Sequence, residues 1–117
     1  MLAYSPLAFG LLTGKYINGV PENSRLALFK GFGIRYEKTN LTEAIQKYVA
    51  IADKHGISPA QMALAFVRSR WFVTSTIIGA TTMEQLKENL GSLEVNLDQD
   101  ILAEIDAVHA KYPNPTP

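Results

Sequence analysis

The order of its elements predicts an α/β domain that is incomplete on its own. Three observations lead there. Short strand signals lie near residues 1–4 and 73–78, helical periodicity follows each of them, and no third strand can be read anywhere in the chain. Strands separated by helices are expected to pair as parallel neighbours through a right-handed crossover. A two-stranded sheet is marginal alone, and parallel strands need cover on both faces. Both strands read as continuously buried, so the neighbouring strands are either missing from this chain or supplied by another copy.

The first strand lies in Leu2-Ala3-Tyr4-Ser5-Pro6-Leu7, which is apolar and stopped by Pro6, a residue with no N–H for a ladder. Residues 16–39 show no sustained period and contain Asn18-Gly19, Pro21, Gly31 and Gly33. A loop this long inside a compact domain is uncommon and is usually a lid, a binding loop or disorder. Leu26, Leu28, Phe29 and Phe32 make it too apolar for disorder alone, so a partly ordered functional loop is expected.

A helix is predicted near 41–55, with Leu41, Ile45, Tyr48, Val49 and Ala52 on one face, Asn40 and Glu43 as reciprocal caps, and Gly56 as the stop. The next, near 59–70, starts at Ser58-Pro59-Ala60-Gln61, where Ser58 can cap, Pro59 suits the first position and Gln61 can reach back. It presents Met62, Ala65 and Phe66. Val73 to Ile78 is β-branched and ends at Gly79-Ala80. Thr81-Thr82 with Glu84 and Gln85 opens a helix near 82–91 whose buried face is expected to carry Leu86 and Leu90. Leu97 or Asp98 begins a last helix, near 98–110, with Ile101, Leu102, Ile105 and Val108 as its stripe. The tail Tyr112-Pro113-Asn114-Pro115-Thr116-Pro117 reads as an extended surface segment. Trp71 reads as a packing residue.

Composition narrows the function classes. Of 117 residues, 47% are hydrophobic and 19% charged, a globular balance. Eleven basic against eleven acidic residues leave no surplus for nucleic acid. No apolar run is long enough to span a membrane. The absence of Cys excludes disulfides, thiolate metal sites and a cysteine nucleophile. Met1 to Tyr4 carries no positive region before an apolar core, so no signal peptide is predicted and a cytoplasmic protein is expected. His55 and His109 have no clustered partners at metal-ligand spacing, and no metal site is predicted. His55 reads instead as a charge at a helix C-terminus.

Two places could hold chemistry, both at the C-terminal end of a strand, where α/β folds place ligands. At the first, Tyr4 can offer a ring face and Ser5 a hydroxyl, with Lys15 downstream. On its own this is explained more simply as a core Tyr beside a turn Ser. At the second, Gly79 and Thr81-Thr82 precede a helix, whose free N–H groups and dipole suit an anion. On its own this is explained more simply as a capped helix with a tight entry turn.

Together the two places resemble the C-terminal part of the aldo-keto reductases, within the subgroup of Tas-like bacterial enzymes and potassium-channel β-subunits. The likeness rests on Ala3-Tyr4-Ser5-Pro6-Leu7-Ala8-Phe9-Gly10, Leu12-Thr13-Gly14-Lys15-Tyr16, Ser58-Pro59-Ala60-Gln61-Met62-Ala63-Leu64-Ala65, and Ile77-Ile78-Gly79-Ala80-Thr81-Thr82 through Glu88-Asn89. The resemblance implies a (β/α)₈ TIM barrel, of which residues 1–117 are the final two βα units. It also implies NADP(H) as cofactor and reduction of aldehydes or ketones by hydride transfer.

By the same resemblance, Tyr4 matches the residue that stacks on the nicotinamide, and Ser5, Pro6, Leu7 and Ala8 the backbone that follows the cofactor. Lys15 and Arg25 match basic positions of a cofactor-closing loop over 16–39. Gly79 and Thr81 match the phosphate turn, and Gln85, Glu88 and Asn89 the adenosine end. The family's catalytic Asp, Tyr, Lys and His match nothing here and are expected to lie upstream, so no catalytic residue is assigned. The alternatives are a non-catalytic NADP(H)-binding regulatory module and a truncated remnant. Self-association, or union with an N-terminal barrel portion, is expected, with a carbonyl compound as substrate of the complete protein.

Overall fold

The structure is a computed structural model that describes residues 1–29, 31 and 40–115. The part of the expected loop that includes Phe32 and Gly33, and the tail residues Thr116 and Pro117, lie outside the described residues. In order, the chain forms strand β1 (Leu2–Ala3), a 3₁₀ segment (Ala8–Thr13) and helices α1 (Arg25–Leu28), α2 (Leu41–Lys54) and α3 (Pro59–Arg68). Strand β2 (Ser75–Thr76), helix α4 (Met83–Gly91), a 3₁₀ turn (Ser92–Glu94) and helix α5 (Gln99–Lys111) follow.

The strands pair in parallel as expected, Leu2 opposite Ser75 and Ala3 opposite Thr76. Backbone bonds from Thr74 N–H to the Met1 carbonyl (2.9 Å) and from Ile77 N–H to the Ala3 carbonyl (2.8 Å) flank the paired residues. The strands are not buried, contrary to the sequence reading. Leu2 is 65% and Tyr4 68% exposed, and Ile77 and Ile78 are exposed as well. Among the described residues each strand has a neighbour on one side only, so apolar side chains that a larger sheet would cover face solvent. Trp71 is corrected likewise: it is 93% exposed, its ring set edge-to-face with that of Phe72 at 5.7 Å between centroids. The whole chain exposes 7607 Å², against about 6,300 Å² for a compact monomer of this mass.

The helices follow their local signals closely. Thr82 and Asp98 accept from the N–H groups of Gln85 and Ile101, at 3.2 and 2.9 Å. Ser58 accepts from Gln61 N–H at 3.5 Å, with Pro59 in the first turn. The stop after α2 is a double backbone closure, from Gly56 N–H to the Asp53 carbonyl and from Ile57 N–H to the Ala52 carbonyl. Gly56 makes it possible at φ +66. The helix α1 is an addition, a single turn within the expected loop, capped by Ser24 and too short to show a period.

Four other expectations are corrected. Asn40 makes no side-chain cap, and Glu43 instead accepts from the Tyr112 hydroxyl at 2.9 Å. Tyr112 is therefore buried, so the tail begins by folding back rather than lying on the surface. Gln61 does not reach back to its own helix start but crosses to α4. On α4 itself, Leu90 is exposed and Leu86 half-buried, while Asn89 is the buried residue.

The core lies among α2, α3 and α5. Ile51, Ala52, Met62, Ile101 and Ile105 form it, with Tyr48, Ile57, Phe66, Leu97 and Val108 packed around them. The sheet sits to one side of this core and reaches it through α3, which packs on β2 and on the 3₁₀ segment.

Candidate functional site

Beyond β1 the backbone turns sharply. Ser5, Ala8 and Phe9 have φ of 56°, 48° and 58°, followed by Gly10 at 90°. Left-handed conformations cost a non-glycine residue about 1–3 kcal/mol and cluster at functional sites. This turn is held by Ala8 N–H to the Ser5 carbonyl (2.9 Å), by Gly10 and Leu12 N–H to the Leu7 carbonyl (2.9 and 3.2 Å), and by the Thr13 hydroxyl to the Gly10 carbonyl (2.6 Å). Gly10 also leaves room for Lys15, whose Cε would lie 3.0 Å from a Cβ there. The Lys15 ammonium stands 5.0 Å from the centre of the Tyr16 ring and has no ion-pair partner among the described residues.

Beyond β2, the Gly79 carbonyl accepts from the Asn89 amide at 3.2 Å. Asn89 is 5% exposed, and its own carbonyl accepts from the Ser92 hydroxyl at 2.6 Å. The Thr81 N–H and hydroxyl both donate to Gln85 Oε1, at 2.9 and 3.1 Å. Those are donors a phosphate oxygen could use, and here a side-chain oxygen accepts from them. Glu88 is gripped from α3: the Ser58 hydroxyl donates to Oε1, and Gln61 Nε2 donates to the backbone carbonyl at 3.0 Å.

Strand register brings these two turns together. Tyr4 follows Ala3, and Ile77 follows Thr76, so Ser5-Pro6 and Gly79-Thr81 leave the sheet at the same end. Leu7 and Ala8 continue the first turn, and Lys15 lies across it. Gln85, Glu88 and Asn89 belong to the second through α4. Arg25 is exposed at the first position of α1, on a helix separate from both turns. Sequence reasoning missed the role of Ser58 and Gln61 between helices, because a cap signature says nothing of a partner 27 or 30 residues away.

Behind the first turn lies a cavity of about 540 Å³, walled by Pro6, Ala8, Ile45, Tyr48, Met62 and Phe66 among others. Burial, and then the nearby Asp106 charge, raise the Tyr48 phenol above its ordinary value. Among the described residues no cluster of His, Asp and Glu could hold a metal, and no helix is long and apolar enough to cross a membrane.

The chain is similar to known proteins along nearly its whole length. The model of the Aldo/keto reductase family matches residues 1–110. Protein tas of Escherichia coli is 55% identical over 118 aligned residues, which cover 100% of this chain and 34% of that protein. An L-glyceraldehyde 3-phosphate reductase of Escherichia coli is 41% identical over 111 residues, covering 90% of this chain and 32% of its own. A Schizosaccharomyces pombe protein named for a voltage-gated potassium channel β-subunit is 38% identical over 112 residues, with 90% and 32% covered. The chain spans about a third of the length of these curated relatives.

Proposed function

The chain belongs to the aldo/keto reductase family, and from that premise we propose that it is the C-terminal, NADP(H)-binding portion of a carbonyl reductase. In this reading it supplies the final two βα units of a (β/α)₈ barrel. The reading rests on one observation above the rest: the Tyr4–Pro6 turn and the Gly79–Thr81 turn leave the same end of a parallel strand pair.

The residues at that end suit a phosphorylated dinucleotide. Tyr4 presents an exposed ring as a stacking face. The Thr81 N–H and hydroxyl, at the start of a capped helix, suit a phosphate oxygen once Gln85 releases them. Lys15 and Arg25 are cations for the remaining phosphate charge, and Ser5 to Ala8 follow the cofactor with their backbone. Gly79 gives the turn its close approach, while Gln85, Glu88 and Asn89 face the adenosine end. When bound, NADPH supplies a hydride to the carbonyl carbon of an aldehyde or ketone. The proton donor and its partners lie outside this chain, so the chain by itself binds without turning over. The exposed strands suit an N-terminal barrel portion or a second copy, in the cytoplasm, with neither nucleic acid nor membrane as partner.

A second reading, a non-catalytic NADP(H)-binding module, is favoured by the likeness to the relative named for a channel β-subunit. NADPH titration followed by intrinsic fluorescence, alongside turnover of a generic aldehyde, tests the proposal. Saturable binding without turnover by the chain, and turnover once it is joined to an N-terminal barrel portion, is the expected result. Binding with no turnover even in that union supports the module. No binding in either form overturns the NADP(H) reading and leaves a remnant.

A further inference from the structure

We propose that Ser58, acting through Glu88, is a positioning residue for the adenosine end of the nucleotide site. The inference rests on the NADP(H) reading above and carries it into α3, a helix to which that reading assigns nothing. Helix α4 contributes no large apolar side chain to the core. Its buried residue is Asn89, and Leu90 is exposed. Apolar packing of α4 rests on the half-buried Leu86 and, being non-directional, does not by itself set the height and rotation of the helix. Hydrogen bonds do set them, and two grip a single residue.

The Ser58 hydroxyl donates to the Glu88 carboxylate, and Gln61 Nε2 donates to the Glu88 carbonyl at 3.0 Å. Both come from the start of α3. Gly91 keeps the path open, because a Cβ there would fall 2.5 Å from Gln61 Nε2. The next residue, Asn89, holds the Gly79 carbonyl, so the clamp on Glu88 also fixes the turn before α4. One carboxylate oxygen engaged by Ser58 orients the other, which is left to accept from an N–H or O–H of the adenosine half.

Ser58 performs two separable tasks. It accepts from Gln61 N–H as a helix cap and donates to Glu88. Glycine preserves most of the cap but has no hydroxyl to donate. Threonine keeps both. The test is calorimetric titration of the chain, and of Ser58→Gly and Ser58→Thr, with NADPH and with reduced nicotinamide mononucleotide, which lacks the adenosine half.

Ser58→Gly is expected to weaken NADPH about tenfold, the order of one hydrogen bond to a charged group, with mononucleotide affinity unchanged. Ser58→Thr restores NADPH binding. A purely structural cap predicts NADPH affinity in Ser58→Gly equal to that of the unaltered chain, and that result overturns the inference. Equal weakening of both ligands overturns it as well. If Ser58→Gly melts before titration, Gln61→Met removes the other grip without touching the cap hydroxyl. It must show the same NADPH-selective loss, and an unchanged ratio overturns the inference. Failure of the unaltered chain to bind NADPH is a different result: it overturns the NADP(H) reading, and this inference falls with it.

Discussion

The α2–α5 contact and the α3–α4 contact belong to one chain but are built from opposite materials. Between α2 and α5, Ile51, Ala52, Ile101 and Ile105 meet in the core, and at the surface Glu104 bridges Lys54 at 2.8 Å and His55 at 3.0 Å. Between α3 and the α4 region, the links are Ser58 and Gln61 to Glu88, with Arg68 donating to the carbonyls of Ser92 (2.6 Å) and Val95 (2.8 Å). Apolar burial is roughly proportional to area and tolerates small shifts. Hydrogen bonds weaken steeply once distance or angle departs from the ideal. The first contact therefore supplies stability, and the second supplies placement beside the strand ends.

Core truncation should break this comparison most forcefully if it is wrong. Ile105→Ala is expected to destabilise the chain by about 2–5 kcal/mol in urea unfolding, since the cavity adds to the lost burial. Leu90→Ala, on the exposed face of α4, should stay within about 0.5 kcal/mol. Equal losses at the two positions would show that α4 is held by apolar packing after all.

Arg68→Ala comes next. Its two charge-assisted bonds to backbone carbonyls predict a loss of about 1.5–3 kcal/mol, with faster amide exchange across 92–95. Arg68→Lys should recover only part of this, because an ammonium lacks the planar fork that reaches two carbonyls at once. Full recovery by lysine would mean that charge, not geometry, holds the 3₁₀ turn.

Asn89→Ala should cost less in stability, about 1 kcal/mol for one neutral bond, yet loosen the Gly79 turn. Amide exchange at Gly79 to Thr81 should rise more than the global stability change accounts for. Exchange that follows global stability alone would remove Asn89 from the placement set.

The smallest effect belongs to pH. Glu104 titrates below its ordinary value of 4.5, chiefly through the Lys54 hydrogen bond and next through that of His55. A carboxyl lowered in the folded state stabilises fully above its unfolded value, and that contribution is lost as pH falls through the lower folded value. A shallow acid limb below about pH 4.5 is expected, and Glu104→Gln should flatten it. An unchanged limb in the variant would assign acid sensitivity elsewhere.

Much of the fold was legible because its signals are local. Ser58, Thr82 and Asp98 each cap the N–H three residues ahead, and Gly56 closes the helix just behind it. The parallel pairing also followed from helices between two strands. Both turns of the candidate site were readable as strand-end motifs, though neither pointed to a nucleotide until they were taken together. Arg25, by contrast, was singled out by resemblance alone, and it stands on a helix separate from the two turns.

The chain's sequence by itself determined the four long helices, the caps at Ser58, Thr82 and Asp98, and the parallel strand pair, since a 3.6-residue period and a capping hydroxyl act within a few residues. Only the tertiary structure decided which polar groups meet across the chain. Glu43 reads as a cap partner but bonds Tyr112, 69 residues away. Leu90 reads as part of the buried face of α4 but is exposed, while Asn89 is the residue buried there, bonded to the Gly79 carbonyl. Leu2, Ile77 and Trp71 read as buried yet lie in solvent. The physical reason is the same in each case. Burial and hydrogen-bond partners depend on which elements pack together, and side-chain chemistry specifies what a residue needs but not which neighbour provides it.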